Sequence, residues 1–350
     1  MARDLDDSIN PDRLAAEVEE EIESPPSSDK IEVRFDHGLV STGSTLLDLA
    51  ISGGRVHGGG VPGGIIVEIF GPSGFGKTAL LSEICGSAQA RGGDIMIADP
   101  EARLDKEYAR IYGVELDKRR YGRPDTVLEL FEGIWNWKPE PREKGAICVY
   151  GADSLTALST KVEMEGSDKY GMRRAKEFSE GLRKTCRIIA NNNWLVVLTN
   201  QLRGGPEGEF TPGGRGVGYY SSLRIRVGPA KEGWRIDKEV QFEGRGVERV
   251  TGIRADCMVK KSTVDSPYRQ APISVVFKYG IDDIRENLQF LKTYTGVTKY
   301  PCVGKSYQAL NAAVSYVEKH DQEGQIREMA ISLWERIEKR FEVNRKPKRR

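Results

Sequence analysis

An α/β fold, built on a mainly parallel twisted sheet flanked by helices, is predicted by three features of this sequence. Four short runs rich in branched apolar residues, GIIVEIF (64–70), DIMIAD (94–99), AICVYGAD (146–153) and WLVVLTN (194–200), are separated by stretches of helical length. Near-continuous apolar runs of this kind mark strands buried on both faces, the condition of a parallel sheet between two helical layers. The first run leads into a glycine-rich loop, and the other three close on Asp99, Asp153 and Asn200. Ligands of open α/β sheets sit beyond the carboxyl ends of the strands, where these polar residues fall. Finally, 38% apolar and 30% charged residues over 350 positions supply a large core but are too polar for a membrane protein.

The chain divides into three parts. In residues 1–37, Asn10 before Pro11 is a helix-start signal, and Leu14, Val18 and Ile22 then repeat at four-residue steps. SPPSSD (24–29) cuts this helix off as a linker. The first 30 residues carry ten acids against three bases, so the helix presents one narrow apolar stripe on an acidic body. A helix of three turns cannot bury such a stripe alone and must dock on its own core or on a neighbouring chain. Residues 38–284 hold the alternating strands and helices, with MVKKS and ISVVFKYG as further strands of the sheet. Residues 285–350 read as helical, and Ile326, Met329, Leu333, Ile337 and Phe341 mark a last amphipathic helix. The chain closes on RKPKRR, five bases in six positions, which reads as a solvated end.

No run of about 18 apolar residues is present, so no membrane-spanning helix is expected. The acidic start lacks the apolar stretch of a secretory signal. Five scattered cysteines (85, 148, 186, 257 and 302), with no C-x-x-C pair, fit reduced thiols of a soluble cytoplasmic protein. The net charge of +1 says nothing by itself about nucleic acid.

Gly71-Pro72-Ser73-Gly74-Phe75-Gly76-Lys77-Thr78 matches G-x-x-x-x-G-K-[ST] in full, after a branched-residue strand and before the helix-like TALLSEICGSAQA. Glycines let backbone N–H groups curl around a polyphosphate, and the following helix points its positive end at it. In this pattern Lys77 reaches the terminal phosphates and Thr78 ligates magnesium, so ATP with Mg2+ is the expected occupant. Asp153, at the end of its apolar run, stands where a second-strand carboxylate holds the magnesium through water. Glu101 and Asp99 compete for the role of general base toward water at the γ-phosphate. Gln201 ends a central strand and is placed to sense the same phosphate.

The order of these pieces resembles the bacterial RecA family of strand-exchange recombinases. The resemblance is carried by STGSTLLDLAISGG, VPGGIIVEIFGPSGFGKT, ADPEARLDKEYARIYGV, ADSLTALSTKVEMEG, TNQLR, TPGGRGVGYYSSLR and YRQAPISVVFKYGI, over roughly residues 38–284. It implies a P-loop ATPase core of that family's type, with Glu101 as the catalytic glutamate. Asp105 and Tyr108 then contact adenine, and Gln201 couples the γ-phosphate to the DNA-binding loops. The first loop, about 162–172, holds Glu163, Met164, Glu165 and Gly166, with Met164 as the wedge between base triplets. The second, 203–220, holds Arg203, Phe210, the paired Gly213 and Gly214, and Arg215. Lys176 and Arg183 fall on a DNA-facing helix, and Lys260 and Lys261 near the place of two lysines that reach the neighbouring subunit's ATP.

From composition alone, RGGPEGEFTPGGRGVG is too glycine-rich to pack and is expected to stay mobile until a ligand orders it. Its charges and Phe210 suit backbone contact and base stacking. The chain departs from the family pattern in three places. The second loop is short, with nine residues between Arg203 and Gly213; the N-terminal sequence is unlike the usual one; and the tail is basic rather than acidic. The resemblance therefore implies a diverged recombinase forming helical filaments on single-stranded DNA and pairing it with homologous duplex. Two other readings stand beside it. The E-x-E-G loop weighs against a ring-forming helicase or branch-migration motor. Joint retention of Lys77, Thr78, Glu101, Asp153 and Gln201 weighs against an accessory protein that uses ATP only structurally.

Overall fold

The computed structural model describes residues 38–164, 172–205, 208–342 and 345. The segment with Leu14, Val18 and Ile22, the loop residues Glu165 and Gly166, and the last five residues of the tail lie outside the described residues, as do the side chains of Met164 and Phe210.

The strands that apolar runs predicted form the centre of a ten-stranded sheet. They are β1 (Ile66–Gly71), β2 (Ile95–Ala98), β4 (Val149–Ala152) and β5 (Leu195–Gln201), joined by the short β3 (Tyr121–Gly122) and by β8 (Leu223–Pro229). In the order β8-β1-β5-β4-β2-β3 every neighbouring pair is parallel. On β5, Leu195 and Val197 enter one apolar core while Val196 and Leu198 enter another across the sheet. That two-sided burial is why the strand reads as an unbroken apolar run. Helices Thr45–Ser52 and Lys77–Ala90 cover the first face, and Val127–Asn136 and Met172–Asn192 the second.

Beyond β8 the sheet turns antiparallel through β10 (Arg245–Ser262), β11 (Gln270–Val276) and β12 (Gly280–Ile281). MVKKS and ISVVFKYG are thus strand sequences as expected, except that the second folds back on itself between β11 and β12. Tyr279 N–H donates to Val276 O at that reversal, where Lys278 takes φ 65°.

Residues 245–250 of β10 pair only with β9 (Arg235–Phe242), forming a ribbon whose β9 residues are mostly exposed. Its turn is Glu243-Gly244, with both residues at positive φ, 49° and 76°. That is the two-residue hairpin geometry whose twist matches the strands.

Past Asp282, whose carboxylate accepts from Arg285 N–H, the chain is helical over Asp283–Thr295, Leu310–Lys319 and Glu323–Lys339. A hairpin of β13 (Tyr300–Cys302) and β14 (Lys305–Tyr307) interrupts it. Ile326, Met329 and Leu333 are buried with Leu288 and Leu291, as the periodicity predicted. Phe341 is not: the helix ends at Lys339 and the ring is 74% exposed, so the apolar stripe stops at Ile337. Ile331, on another face of this helix, is buried in the main core. His57 bonds Glu328 and Glu335, and Arg269 bonds Glu338, so the last helix is fastened to the core by charge as well.

Candidate functional site

The phosphate loop joins β1 to the Lys77–Ala90 helix and must reverse direction within a few residues. Gly76 caps that helix at φ 91°, a conformation L side chains rarely adopt, and a Cβ there would press on Val275 at 3.3 Å. At Gly71 the loop passes so close to β8 that a Cβ would lie 1.9 Å from the Val227 carbonyl oxygen. Both glycines are therefore required by geometry.

Lys77 is 8% exposed, and its ammonium donates to the carbonyls of Gly71 (3.1 Å) and Pro72 (2.7 Å). Burial lowers its pKa, against the attraction of Asp153 and Glu101. Thr78 donates from Oγ1 to Asp153 Oδ2 at 2.6 Å, and Thr199 donates to the other carboxylate oxygen. Burial raises the Asp153 pKa; the two hydroxyls oppose that, while Glu101 and Asp99 add to it. A buried carboxylate beside a hydroxyl, both hard oxygens, fits a magnesium ion, so Thr78 and Asp153 are chemically suited to hold one.

These groups line a cavity of about 520 Å³ with Glu101, Asp105, Tyr108 and Gln201. Spacing left Asp99 and Glu101 in competition; both line the cavity, with different hydrogen-bond partners. Asp99 is 2% exposed, and its Oδ2 accepts from Leu104 N–H (2.8 Å) and Tyr121 O–H (2.9 Å), fixing the turn that follows β2. Glu101, which lines the cavity as Asp99 does, has different partners. Its Oε1 accepts from Ser154 Oγ (2.9 Å) and Gln201 Nε2 (3.4 Å), and its Oε2 faces Arg103 Nη1 at 2.7 Å.

Asp105 caps the Lys106–Ile111 helix, accepting from Tyr108 N–H at 2.7 Å. The Tyr108 ring lies 5.1 Å from that of Tyr112, whose hydroxyl donates to the Tyr108 hydroxyl at 3.0 Å. The cavity is also lined by Ile253 and Val275–Lys278, which the sequence did not mark as site residues. The only signal for them was the β11 reversal, which carries Phe277 to the cavity mouth at 53% exposure. Phe75 of the loop packs edge-on against Trp234 at the base of the ribbon.

Lys260 and Lys261 are not among the residues lining this cavity. Lys261 donates to the carbonyls of Gly218 (3.0 Å) and Tyr219 (2.7 Å).

A second cavity, about 790 Å³, brings together Arg203, Gly213, Gly214 and Arg215 of the second loop with Arg174, Tyr219 and Arg224. The loop's described residues carry secondary structure. Its first half pairs as β6 (Arg203–Gly205) with β7 (Gly208–Phe210), and its second half forms the helix Arg215–Tyr220. Val217 is fully buried, and Asn200 Nδ2 holds the Pro212 carbonyl at 3.0 Å. Val217 and Asn200 thus anchor a stretch that carries seven glycines.

Arg174 and Arg224 were missed. Arg174 donates to the carbonyls of Leu155 (2.8 Å) and Thr156 (2.9 Å), and burial lowers its pKa. Arg224 lies over the Phe70 ring, 4.5 Å from its centroid. Its visible signal was the alternation LRIRV, which sets arginines on one face of a buried strand. Lys176 and Arg183 stand outside this cavity on the Met172–Asn192 helix. The first is 3.8 Å from Glu180, and the second donates to the Tyr220 hydroxyl.

With this geometry in hand, residues 28–282 match the family model of the RecA N-terminal domain. The chain is similar to Protein RecA of Thermus thermophilus, 32% identical over 260 residues, 71% of this chain and 69% of that protein. It is similar to Protein RecA of Colwellia psychrerythraea, 30% identical over 339 residues and 90% of each. Protein RecA of Clostridium perfringens is 35% identical over 254 residues, 69% of this chain and 65% of that protein. The Colwellia match covers 90% of this chain, so the likeness runs beyond residue 284. Among the described residues, no helix is long and apolar enough to cross a membrane.

Proposed function

The chain belongs to the RecA family, and from that membership and the two cavities we propose that it is a DNA-dependent ATPase that pairs homologous DNA and drives strand exchange. It polymerises as a helical filament on single-stranded DNA, with the segment of Leu14, Val18 and Ile22 as a docking device between subunits. The observation that carries this reading is the placing of Glu101 in one cavity with Lys77, Thr78, Asp153 and Gln201.

ATP binds with its phosphates over the loop Gly71–Thr78 and its adenine beside Tyr108 and Asp105. Backbone N–H groups and Lys77 hold the phosphates, and Tyr108 offers a ring face for stacking. Magnesium, held by Thr78 and Asp153, neutralises phosphate charge when bound. Glu101, oriented by Ser154 and Gln201, accepts the proton of a water aimed at the γ-phosphorus.

Gln201 is the physical link to DNA. It touches Glu101 on one side and leads through Leu202 into the Arg203 loop on the other. The second cavity is lined by four arginines and Tyr219, a combination that suits backbone phosphates and stacked bases rather than sequence readout. Met164, Glu165 and Gly166 of the first loop, with Lys176 and Arg183, extend the DNA path, and Lys260 and Lys261 serve the neighbouring subunit's ATP.

The test is ATP hydrolysis with and without single-stranded DNA, on the native protein and on Glu101→Gln. Stimulation by DNA that disappears in the variant is expected, followed by joint-molecule formation between homologous DNAs. Hydrolysis without joint molecules, accompanied by directional unwinding, would replace the recombinase with a helicase. No hydrolysis under either condition would leave an accessory role.

A further inference from the structure

We propose that Arg103 is a cation supplied within the same subunit to the terminal phosphate of bound ATP, and that its pairing with Glu101 is the resting arrangement it leaves when ATP arrives. This rests on the ATPase reading of the cavity.

The turn between β2 and the Lys106–Ile111 helix is built to aim Arg103. Ala102 takes φ 53°, in the left-handed region where a residue other than glycine is uncommon. Asp99 holds the turn from both sides, its carbonyl accepting from Ala102 N–H at 3.1 Å and its carboxylate from Leu104 N–H at 2.8 Å. The chain therefore doubles back between Glu101 and Arg103, and the guanidinium returns to the cavity mouth with Nη1 2.7 Å from Glu101 Oε2. Arg103 lines the same cavity as Lys77, Thr78 and Gln201.

Two features make this pair a poised arrangement rather than a fixed brace. The Arg103 side chain is 76% exposed, and an ion pair in such a setting holds weakly. A guanidinium facing a multiply charged phosphate makes shorter, bidentate bonds, so the phosphate is the stronger partner. Glu101 does not depend on Arg103 for its orientation, because Ser154 and Gln201 hold the other oxygen. Departure of Arg103 thus leaves Glu101 in place and frees Oε2 to accept from water. Lys261, meanwhile, has its ammonium on two carbonyls of its own chain.

In the step itself, the water oxygen bonds to the γ-phosphorus while the bond from that phosphorus to the β–γ bridging oxygen breaks. The bridging oxygen keeps the electron pair and leaves as ADP. The water's proton passes to Glu101 Oε2 and then to solvent. Arg103 donates N–H to the γ-phosphoryl oxygens throughout and neither gains nor loses a proton.

The experiment compares native protein with Arg103→Ala and Arg103→Lys, each with its Mg2+. Affinities for ADP and for a non-hydrolysable ATP analogue are measured beside the DNA-stimulated rate. Arg103→Ala is expected to bind the analogue about tenfold more weakly with ADP affinity unchanged, and to lose about 10²-fold in kcat. Arg103→Lys is expected to recover analogue binding but little of the rate, because the bidentate fork is gone. Unchanged preference for analogue over ADP in Arg103→Ala overturns the proposal, whether or not kcat falls. Equal weakening for both nucleotides overturns it as well. A native protein that hydrolyses no ATP is a different result and overturns the ATPase reading first.

Discussion

Arg224 donates through Nε to Glu68 Oε2 at 2.6 Å, and the carboxylate it reaches is fully buried inside the sheet, three residues before the phosphate loop. Asn200 supplies the other carboxylate oxygen with a hydrogen bond at 3.0 Å. A buried carboxylate is tolerated because both oxygens are partnered, and losing the cation leaves it uncompensated. Arg224→Ala is therefore expected to destabilise the fold by about 3 kcal/mol, near the low end for broken buried pairs because Arg224 itself reaches solvent. Denaturant unfolding measures this directly. Adding Glu68→Gln to that variant should recover part of the loss, since the uncompensated charge is then removed.

The hydroxyl of Thr78 is the group that ties the phosphate loop to Asp153. Thr78→Val keeps the shape and removes that oxygen, so the core should be little disturbed while the proposed magnesium site loses one of its two proposed protein ligands. The expected outcome is an ATP hydrolysis rate lower by about 10²-fold, with nucleotide affinity that no longer rises with magnesium. Fluorescent-nucleotide titration across a magnesium series gives the second readout. Affinity that still climbs with magnesium as in the native protein would remove Thr78 from the metal site.

The parallel half of the sheet was legible because burial on both faces leaves an unmistakable texture. Val196 and Val197 of β5 point to opposite cores and are both fully buried, so no polar residue interrupts the run. The phosphate loop was equally plain, since Gly71 and Gly76 are sterically required. The different settings of Asp99 and Glu101 were not legible from spacing, because both stand at one strand end. They depend on Leu104 N–H and Tyr121 O–H, groups that only the folded turn brings to Asp99. The β9–β10 ribbon escaped for a different reason. Its turn is Glu-Gly rather than the stronger Asn-Gly signal, and its strands lack a core face that would impose alternation. A shift in the register between Val250 and Gly252 blurs the pattern further. In the second loop, the anchoring of Pro212 by Asn200 was not legible from composition, because Asn200 lies outside the glycine-rich stretch.

His57 bridges Glu328 and Glu335 of the last helix at 3.0 and 2.9 Å. These two hydrogen bonds raise its pKa from 6.5 to about 10, although burial acts against them. The folded pKa exceeds the unfolded one, so protonation favours the folded state. The bridge's contribution is full below about pH 6.5 and is lost as the pH rises through about 10. His57 is more than half exposed, so salt screens much of the effect. The stability gap between native protein and His57→Gln should be widest below pH 6.5 and should close above pH 10, and it should shrink in high salt. Thermal unfolding at a series of pH values checks this, and a gap that widens with pH would exclude the bridge as its source.

Phe75 and Trp234 meet at a centroid distance of 5.9 Å and an interplanar angle of 78°, which joins the tip of the phosphate loop to the base of the ribbon. Nucleotide entering the loop changes the surroundings of Phe75 and hence of the 39%-exposed indole behind it. Addition of ADP or of a non-hydrolysable ATP analogue should therefore alter the intrinsic tryptophan emission. Subtracting the spectrum of Trp234→Phe from that of native protein isolates the indole concerned. The nucleotide-dependent change should vanish in the variant while nucleotide affinity stays within about twofold, because an aromatic ring is kept against Phe75.

Asn200 stands between the two cavities. Its Nδ2 donates both to Glu68 Oε1 beneath the phosphate loop and to the Pro212 carbonyl in the second loop, each at 3.0 Å. Its Oδ1 accepts from Thr156 Oγ1 at 3.3 Å, and the next residue is Gln201, whose amide touches Glu101. One fully buried amide thus fixes the second loop to the strand that carries Gln201. Asn200→Asp keeps the shape but replaces both donated bonds with repulsion toward Glu68 and Pro212 O. A buried, unpartnered polar group is costly, so the second loop should release before the sheet does. The expected result is ATP hydrolysis without DNA within about twofold of native, with the stimulation by single-stranded DNA reduced about tenfold. Restored stimulation in Asn200→Gln would not be expected, because the longer side chain cannot reach both acceptors from the same backbone position. Stimulation that survives intact in Asn200→Asp would mean that DNA reaches the nucleotide by another route, and the path through Gln201 would have to be abandoned.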